Sequence, residues 1–163
     1  MKRSLALVLA AVTSIALAPV SRGADKIDVT DCYSGTGASF HTGKSVTPVY
    51  SWTQNGILMS HGQDKRLNNA VEHCEGVQRG AGPQRTGYGL CKIVDNDGDM
   101  IIAEIPYSGL VYVVKFIEGS GKWKGLKGSL HSVLTVRSKA GMGAMPGTYQ
   151  GCRRETGSVE LPK

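Results

Sequence analysis

Between Phe116 and Ser129 the chain reads FIEGSGKWKGLKGS, and the glycines at 121, 125 and 128 are too closely spaced for a helix. Each would destabilise one by about 1 kcal/mol relative to alanine. Upstream, Val111 to Ile117 is β-branched and aromatic and suits a pleated, mostly buried surface, while Gly119-Ser120-Gly121 supplies residues that tolerate positive φ where the chain reverses. Downstream, Leu130 to Arg137 alternates, placing Leu130, Ser132, Leu134 and Val136 on one face and His131, Val133, Thr135 and Arg137 on the other. Strand, turn, glycine-rich strand and long strand together describe one corner of a barrel.

Met1 to Gly23 carries Lys2 and Arg3, an apolar and small-residue run from Leu5 to Ala18, and the small-residue site Ser21-Arg22-Gly23. These are the parts of a secretory signal peptide, cleaved between Gly23 and Ala24. The run is shorter than the roughly 20 residues a membrane span needs. The expected mature protein, residues 24–163, is a single domain, periplasmic or secreted, with no transmembrane segment. With Lys2, Arg3 and Arg22 removed from 19 basic residues, against 13 acidic ones, its formal charge is +3. That modest value gives no support to a nucleic-acid partner. Lys115, Lys122, Lys124 and Lys127 gather around the hairpin, where Lys122, Lys124 and Lys127 form a candidate rim for an anionic partner or a charged edge that blocks strand pairing. Twenty-two glycines and no long amphipathic helix point to many short strands, as in a sandwich or barrel.

Asp28 to Cys32 reads as a first strand, and Val46 to Thr53 as a second in which Val46, Pro48, Tyr50 and Trp52 share a face. Pro48 cannot donate to a ladder and places that strand at an edge or bulge. Asn55-Gly56 predicts a type I′ turn pairing it with Ile57 to His61. Asp64 to Glu75 has Leu67, Ala70, Val71 and Cys74 at helical spacing but is short, and reads as a loop or one helical turn leading into a strand near Val71 to Cys74. Leu90 to Val94 and Met100 to Ile105 form a hairpin about Asp95-Asn96-Asp97-Gly98-Asp99, and Thr148 to Arg153 is a final strand.

Four cysteines in an exported chain imply two disulfides, for which three connectivities exist. The preferred one pairs Cys74 with Cys91, tying neighbouring strands, and Cys32 with Cys152, joining the first and last. In the chain-entropy model such loops contribute roughly 3 and 5 kcal/mol. A zinc site lacks any C-x-x-C spacing. The DNDGD run imitates the start of a calcium loop, but its glycine comes fourth, and Pro106 stands where the bidentate glutamate belongs. No metal or cofactor is expected. His41, His61, His73 and His131 are scattered, and no nucleophile elbow or phosphate-binding loop appears. Glu104 and Glu118, the acids of the central strands, are expected to face solvent.

Gly119 to Ser129, GSGKWKGLKGS, resembles the Gly-x-Gly-Lys-aromatic-x-Gly-Ile-x-Gly signature of the allene oxide cyclase and dirigent barrel superfamily. The DNDGD turn is similar to the Asp-x-Asp-Gly-Asp turn of exported bacterial relatives; together the two cover about Tyr88 to Arg137. The resemblance implies an all-β fold, a single antiparallel barrel of about eight strands, here disulfide-linked, and a homo-oligomer, a trimer in the plant proteins. None of the family's catalytic residues maps onto this sequence, so an enzyme is the less favoured reading. With Tyr112, Val114 and Phe116 facing inward, and Leu130, Leu134 and Val136 likewise, the lumen is expected to be nearly all apolar. The leading expectation is a binding protein, for a small apolar ligand touching Trp52, Tyr112 and Phe116 or for a partner surface. A lyase or isomerase of the cyclase type, and a structural envelope or secreted interaction protein, are the alternatives.

Overall fold

The computed structural model describes residues 24–40, 47–80, 82–109, 111–137 and 147–162. The expected signal peptide and Val46 lie outside them. Eight strands occur in the order β1 (Asp25–Phe40), β2 (Val49–Ser60), β3 (Val71–Arg79), β4 (Thr86–Val94), β5 (Met100–Ser108), β6 (Val111–Gly119), β7 (Lys127–Arg137) and β8 (Thr148–Glu160), with 3-10 turns at Gly82–Gln84 and Gly121–Trp123. Each strand is antiparallel to the next and β8 pairs with β1, closing a barrel in chain order. Among the described residues no helix is long and apolar enough to cross a membrane.

Alternation decides what enters the barrel. Along β1, Ile27, Val29 and Asp31 are buried; along β8, Gly151, Arg153, Glu155 and Val159 are. One end is closed by an apolar layer containing Ile27, Leu58, Leu67, Ala70, Ile93, Ile101, Leu126 and Val159, packed about Trp123. Phe116 belongs to this core at 8% exposure. The opposite end, where β1 leads to β2 and β7 to β8, carries half-buried Tyr33, Trp52, Tyr112 and Tyr149.

Both disulfides are the preferred pairs, Cys32–Cys152 and Cys74–Cys91, each joining residues directly opposite in register. They face different ways. Cys74 and Cys91 point into the barrel and are buried, whereas Cys32 and Cys152 alternate with buried Asp31 and Arg153 and lie on the outer wall.

Several local expectations are corrected. Asn55-Gly56 is not a turn; β2 runs straight through it, with Gly56 opposite both Tyr33 and Glu72. A Cβ on Gly56 would run into the Asp31 carboxylate, so close approach, rather than chain reversal, is what requires glycine here. Pro48 sits just before β2 and not within it, and a closed barrel offers it no edge strand. Leu134 and Val136, expected inward, are 47% and 58% exposed: the register shift after Leu134 sets Val136 opposite outward Cys152, while Leu134 stays opposite Arg153. The expected loop before a strand at Val71 is present, and its turn over 66–69 buries Leu67, with Ala70 buried just before β3.

A buried carboxylate cluster in the barrel

The lumen is not nearly all apolar. Asp31 from β1, Gln54 from β2, Glu72 from β3, Ser132 from β7, and Arg153 and Glu155 from β8 all lie within it, each no more than 8% exposed. Register assembles them: Asp31 is opposite Arg153, Glu155 is opposite Ser132, and Gln54 lies one strand from Glu72. Arg153 is the hub. Its Nη2 approaches Asp31 Oδ2 at 2.9 Å and donates to Glu72 Oε1 at 2.7 Å, and its Nε lies 3.1 Å from Glu155 Oε1. Gln54 Nε2 also donates to Glu72 Oε1, at 3.1 Å.

Three carboxyl groups thus share one guanidinium away from water, and charge cannot balance if all three ionise. Burial, reinforced by Glu72, pushes Asp31 up to about 8 despite the pull of Arg153. Burial likewise raises Glu155 to about 7, with Arg153 opposing and Glu72 adding to the shift. Burial works against the charge on Arg153, but Glu72, Glu155 and Asp31 outweigh it and hold the guanidinium above its ordinary value. At neutral pH the cluster therefore holds protons that it can exchange. Among the described residues, Asp31 Oδ1 and Glu72 Oε2 accept no hydrogen bond.

Aromatic rings stand between this cluster and the end away from Trp123. Tyr33 lies under the Arg153 guanidinium, 4.9 Å from ring centroid to Cζ, and meets Tyr149 edge-on at 6.1 Å. The Trp52 indole lies across Gly76 and Gly89 of the two following strands, where any Cβ would strike its ring. Alternation in β2 thus puts Trp52 on the lumen side. Tyr112 is covered by Arg85, whose Cζ is 4.8 Å from the ring centroid and whose Nε donates to the Gly109 carbonyl.

The lysine rim divides. Lys124 and Lys127 are exposed, but Lys122 Nζ pairs with Asp95 Oδ2 at 2.8 Å and also with Asp97. The intervening Trp123 is 1% exposed, and its Nε1 donates to Asp95 Oδ2 at 2.7 Å. His41 lies outside the described residues, and among these the histidines do not converge: His61 bonds Thr30, His73 meets Asn55 and Glu75, and His131 is exposed. Glu104 faces outward against Tyr88 and Lys115. Glu72, Cys74 and Cys91 come within 4.8 Å of one another, but the two sulfurs are bonded to each other and offer no thiolate for a metal.

Sequence reasoning missed the cluster, although the signal is present. Ile27-x-Val29-x-Asp31 and Arg153-x-Glu155 follow an inward alternation in which Asp31 and Arg153 lie within the expected strands and Ile27 and Glu155 just beyond their ends.

No protein-family model matches the chain, and no curated protein matches it. Among solved structures it is similar to a pterocarpan synthase dirigent protein, at 10% identity and a TM-score of 0.49, covering 85% of this chain and 97% of the other. A second pterocarpan synthase dirigent protein gives 8%, 0.48, 85% and 93%. A pyocyanin demethylase gives 16% identity and a TM-score of 0.44, over 83% of this chain and all of its own.

Proposed function

We propose that the barrel binds a small, flat organic molecule at the end lined by Tyr33, Trp52, Tyr112 and Tyr149, and that the Arg153 cluster holds its polar group and exchanges a proton with it. The observation that carries this reading is the three-to-one excess of buried carboxyl groups over cations. For stability alone, well-packed apolar residues serve as well or better than a buried ion network. Carboxyls raised to about 8 and about 7 are matched to acid and base work at neutral pH. Arg153 fixes their positions, and Glu72 supplies a further acceptor. The purely apolar ligand expected from the sequence gives way to one with an ionisable or hydrogen-bonding group.

The test is fluorescence titration of the Trp123→Phe variant, which keeps only Trp52, with a panel of aromatic phenols, quinones and amines. Binding should change Trp52 emission, and Asp31→Asn should weaken it at least tenfold while the fold persists. If no compound perturbs Trp52, and Asp31→Asn and Glu155→Gln do nothing beyond stabilising the protein, the lumen is a packed core.

A second reading, a partner surface, has its own observation. Ile57, Val71, Val77 and Val136 on the outer wall are between 52% and 58% exposed. Concentration-dependent sedimentation, lost on Ile57→Lys, would favour it.

A further inference from the structure

The two disulfides sit in opposite environments, and only one is open to chemistry from outside. Cys74–Cys91 is sealed in the lumen at 0% and 2% exposure. Cys32–Cys152 is partly exposed and lines an outer groove of about 920 Å3, together with Ile57, Val71, Val136, His73 and Lys92. Glu72 is the one acid at this groove, and its carboxylate turns inward to Arg153. The wall presented to solvent is therefore mixed apolar and polar, with Lys92 at its margin and His73 paired to the exposed Glu75, so a small thiol meets no buried carboxylate on its way to the bond.

The position of this bond relates it to the lumen. Cys32 is opposite Cys152, and in the adjacent rung Asp31 is opposite Arg153. The covalent tie on the outer wall thus clamps the strand pair that holds the Asp31–Arg153 contact at 2.9 Å on the inner one.

We propose that Cys32–Cys152 is a thiol–disulfide exchange site for a small thiol or dithiol, and that its redox state sets how tightly Arg153 is held against Asp31. The incoming thiolate attacks one sulfur of the pair, forming a mixed disulfide and releasing the other cysteine as a thiolate that takes up a proton. A second external thiol resolves the mixed disulfide. The products are two protein thiols and one oxidised external disulfide, so two electrons and two protons pass to the protein. Cys74–Cys91 does not take part, because no thiolate reaches it in the folded barrel.

The charged groups that act on Asp31 are Glu72 from β3 and Arg153 and Glu155 from β8, with the Tyr33 ring from β1 against Arg153. Loosening Arg153 removes the neighbour that favours the ionised form, so the protonation midpoint of the cluster should move upward on reduction.

The test treats the oxidised folded protein with dithiothreitol or reduced glutathione, quenches with an alkylating reagent, and maps the labels. Cys32 and Cys152 should label at least tenfold faster than Cys74 and Cys91, at a rate that low urea does not change. The selectively reduced protein, and the Cys32→Ser/Cys152→Ser variant, should titrate through Trp52 emission in a Trp123→Phe background with a midpoint at least half a pH unit higher. Equal labelling of both pairs, or labelling that tracks global unfolding, would overturn the exchange site. Selective labelling with an unmoved midpoint would overturn the coupling. If the double variant does not fold, the kinetic and titration arms on the chain with native cysteines still decide both points.

Discussion

Asp31 shows how one residue converts a barrel strand into a pH-dependent element. Its carboxyl lies near about 8 in the folded protein against an ordinary 3.8, and that of Glu155 near about 7 against 4.5. Both folded values are raised, so the folded chain binds more protons than the unfolded one between these limits, and stability falls as pH rises. Their contribution is complete below about pH 4 and gone above about pH 8. The melting temperature should therefore decline between pH 5 and pH 8, and Asp31→Asn should flatten the upper part of that decline; a profile identical in both proteins would refute the assignment. Arg153→Met, which strands three carboxyls, should cost about 3–5 kcal/mol at neutral pH. Asp28, Asp64 and Asp95 have lowered values, so their contribution is present above the unfolded value and lost as pH falls, in a separate window below about pH 4. None of this was legible as a site in the sequence. An acid two places after Val29 looks like a strand end until its partner on β8, more than a hundred residues away, is known.

At the scale of elements, the DNDGD turn and the Gly121–Trp123 turn form one device. Asp95 is buried and accepts from the backbone N–H of Asp97 at 2.9 Å and of Asp99 at 3.1 Å, from Trp123 Nε1 and from Lys122 Nζ. Burial pushes this carboxyl up, but Lys122, Trp123 and the two backbone donors outweigh it and hold it below its ordinary value. Asp95→Ala should cost about 2–3 kcal/mol in urea unfolding, because it leaves the buried Trp123 indole N–H unpaired and removes a charged acceptor from three further donors. Asp99→Asn should cost less, since among the described residues the Asp99 carboxylate accepts only the Lys122 backbone N–H, at 3.1 Å. Lys122 already supplies the cation that calcium would, so the melting temperature should not respond to calcium; a steady rise, lost in Asp95→Ala, would contradict this. The hairpin was legible from Asp-Gly between apolar runs, but the burial of Trp123 was not. Its lysine neighbours suggested a surface hairpin, and only the 3-10 turn rotates the indole inward. The seat of Trp52 was half legible: alternation places the ring in the lumen, while the room that Gly76 and Gly89 make for it depends on the pairing of β2 with β3 and of β3 with β4. Gly76→Ala should overpack the ring at a cost of about 1–3 kcal/mol and shift Trp52 emission.

For the whole molecule, closure is the governing fact. Each strand has a partner on both sides, so neither end owns a separate set of hydrogen bonds or a separate core. The barrel class was legible from glycine spacing and strand alternation, and the pairing of β1 with β8 from the wish to join first and last cysteines. The register bulge in β7 was not, because sequence alternation continues smoothly through Leu134 and Val136 while the pairing does not. A closed barrel of this size should unfold as one cooperative unit. The two tryptophans test this from different places: Trp123 is buried within the core, and Trp52 is a partly buried ring packed against it across Gly76 and Gly89. With disulfides intact, urea unfolding of Trp52→Phe followed by Trp123 emission should coincide with its far-ultraviolet circular dichroism, and the same should hold for Trp123→Phe followed by Trp52. If Trp52 emission changed at lower urea than the backbone signal, the aromatic end would open independently. If that early change appeared only above pH 8, where Asp31 and Glu155 are ionised, its cause would be charge repulsion within the lumen.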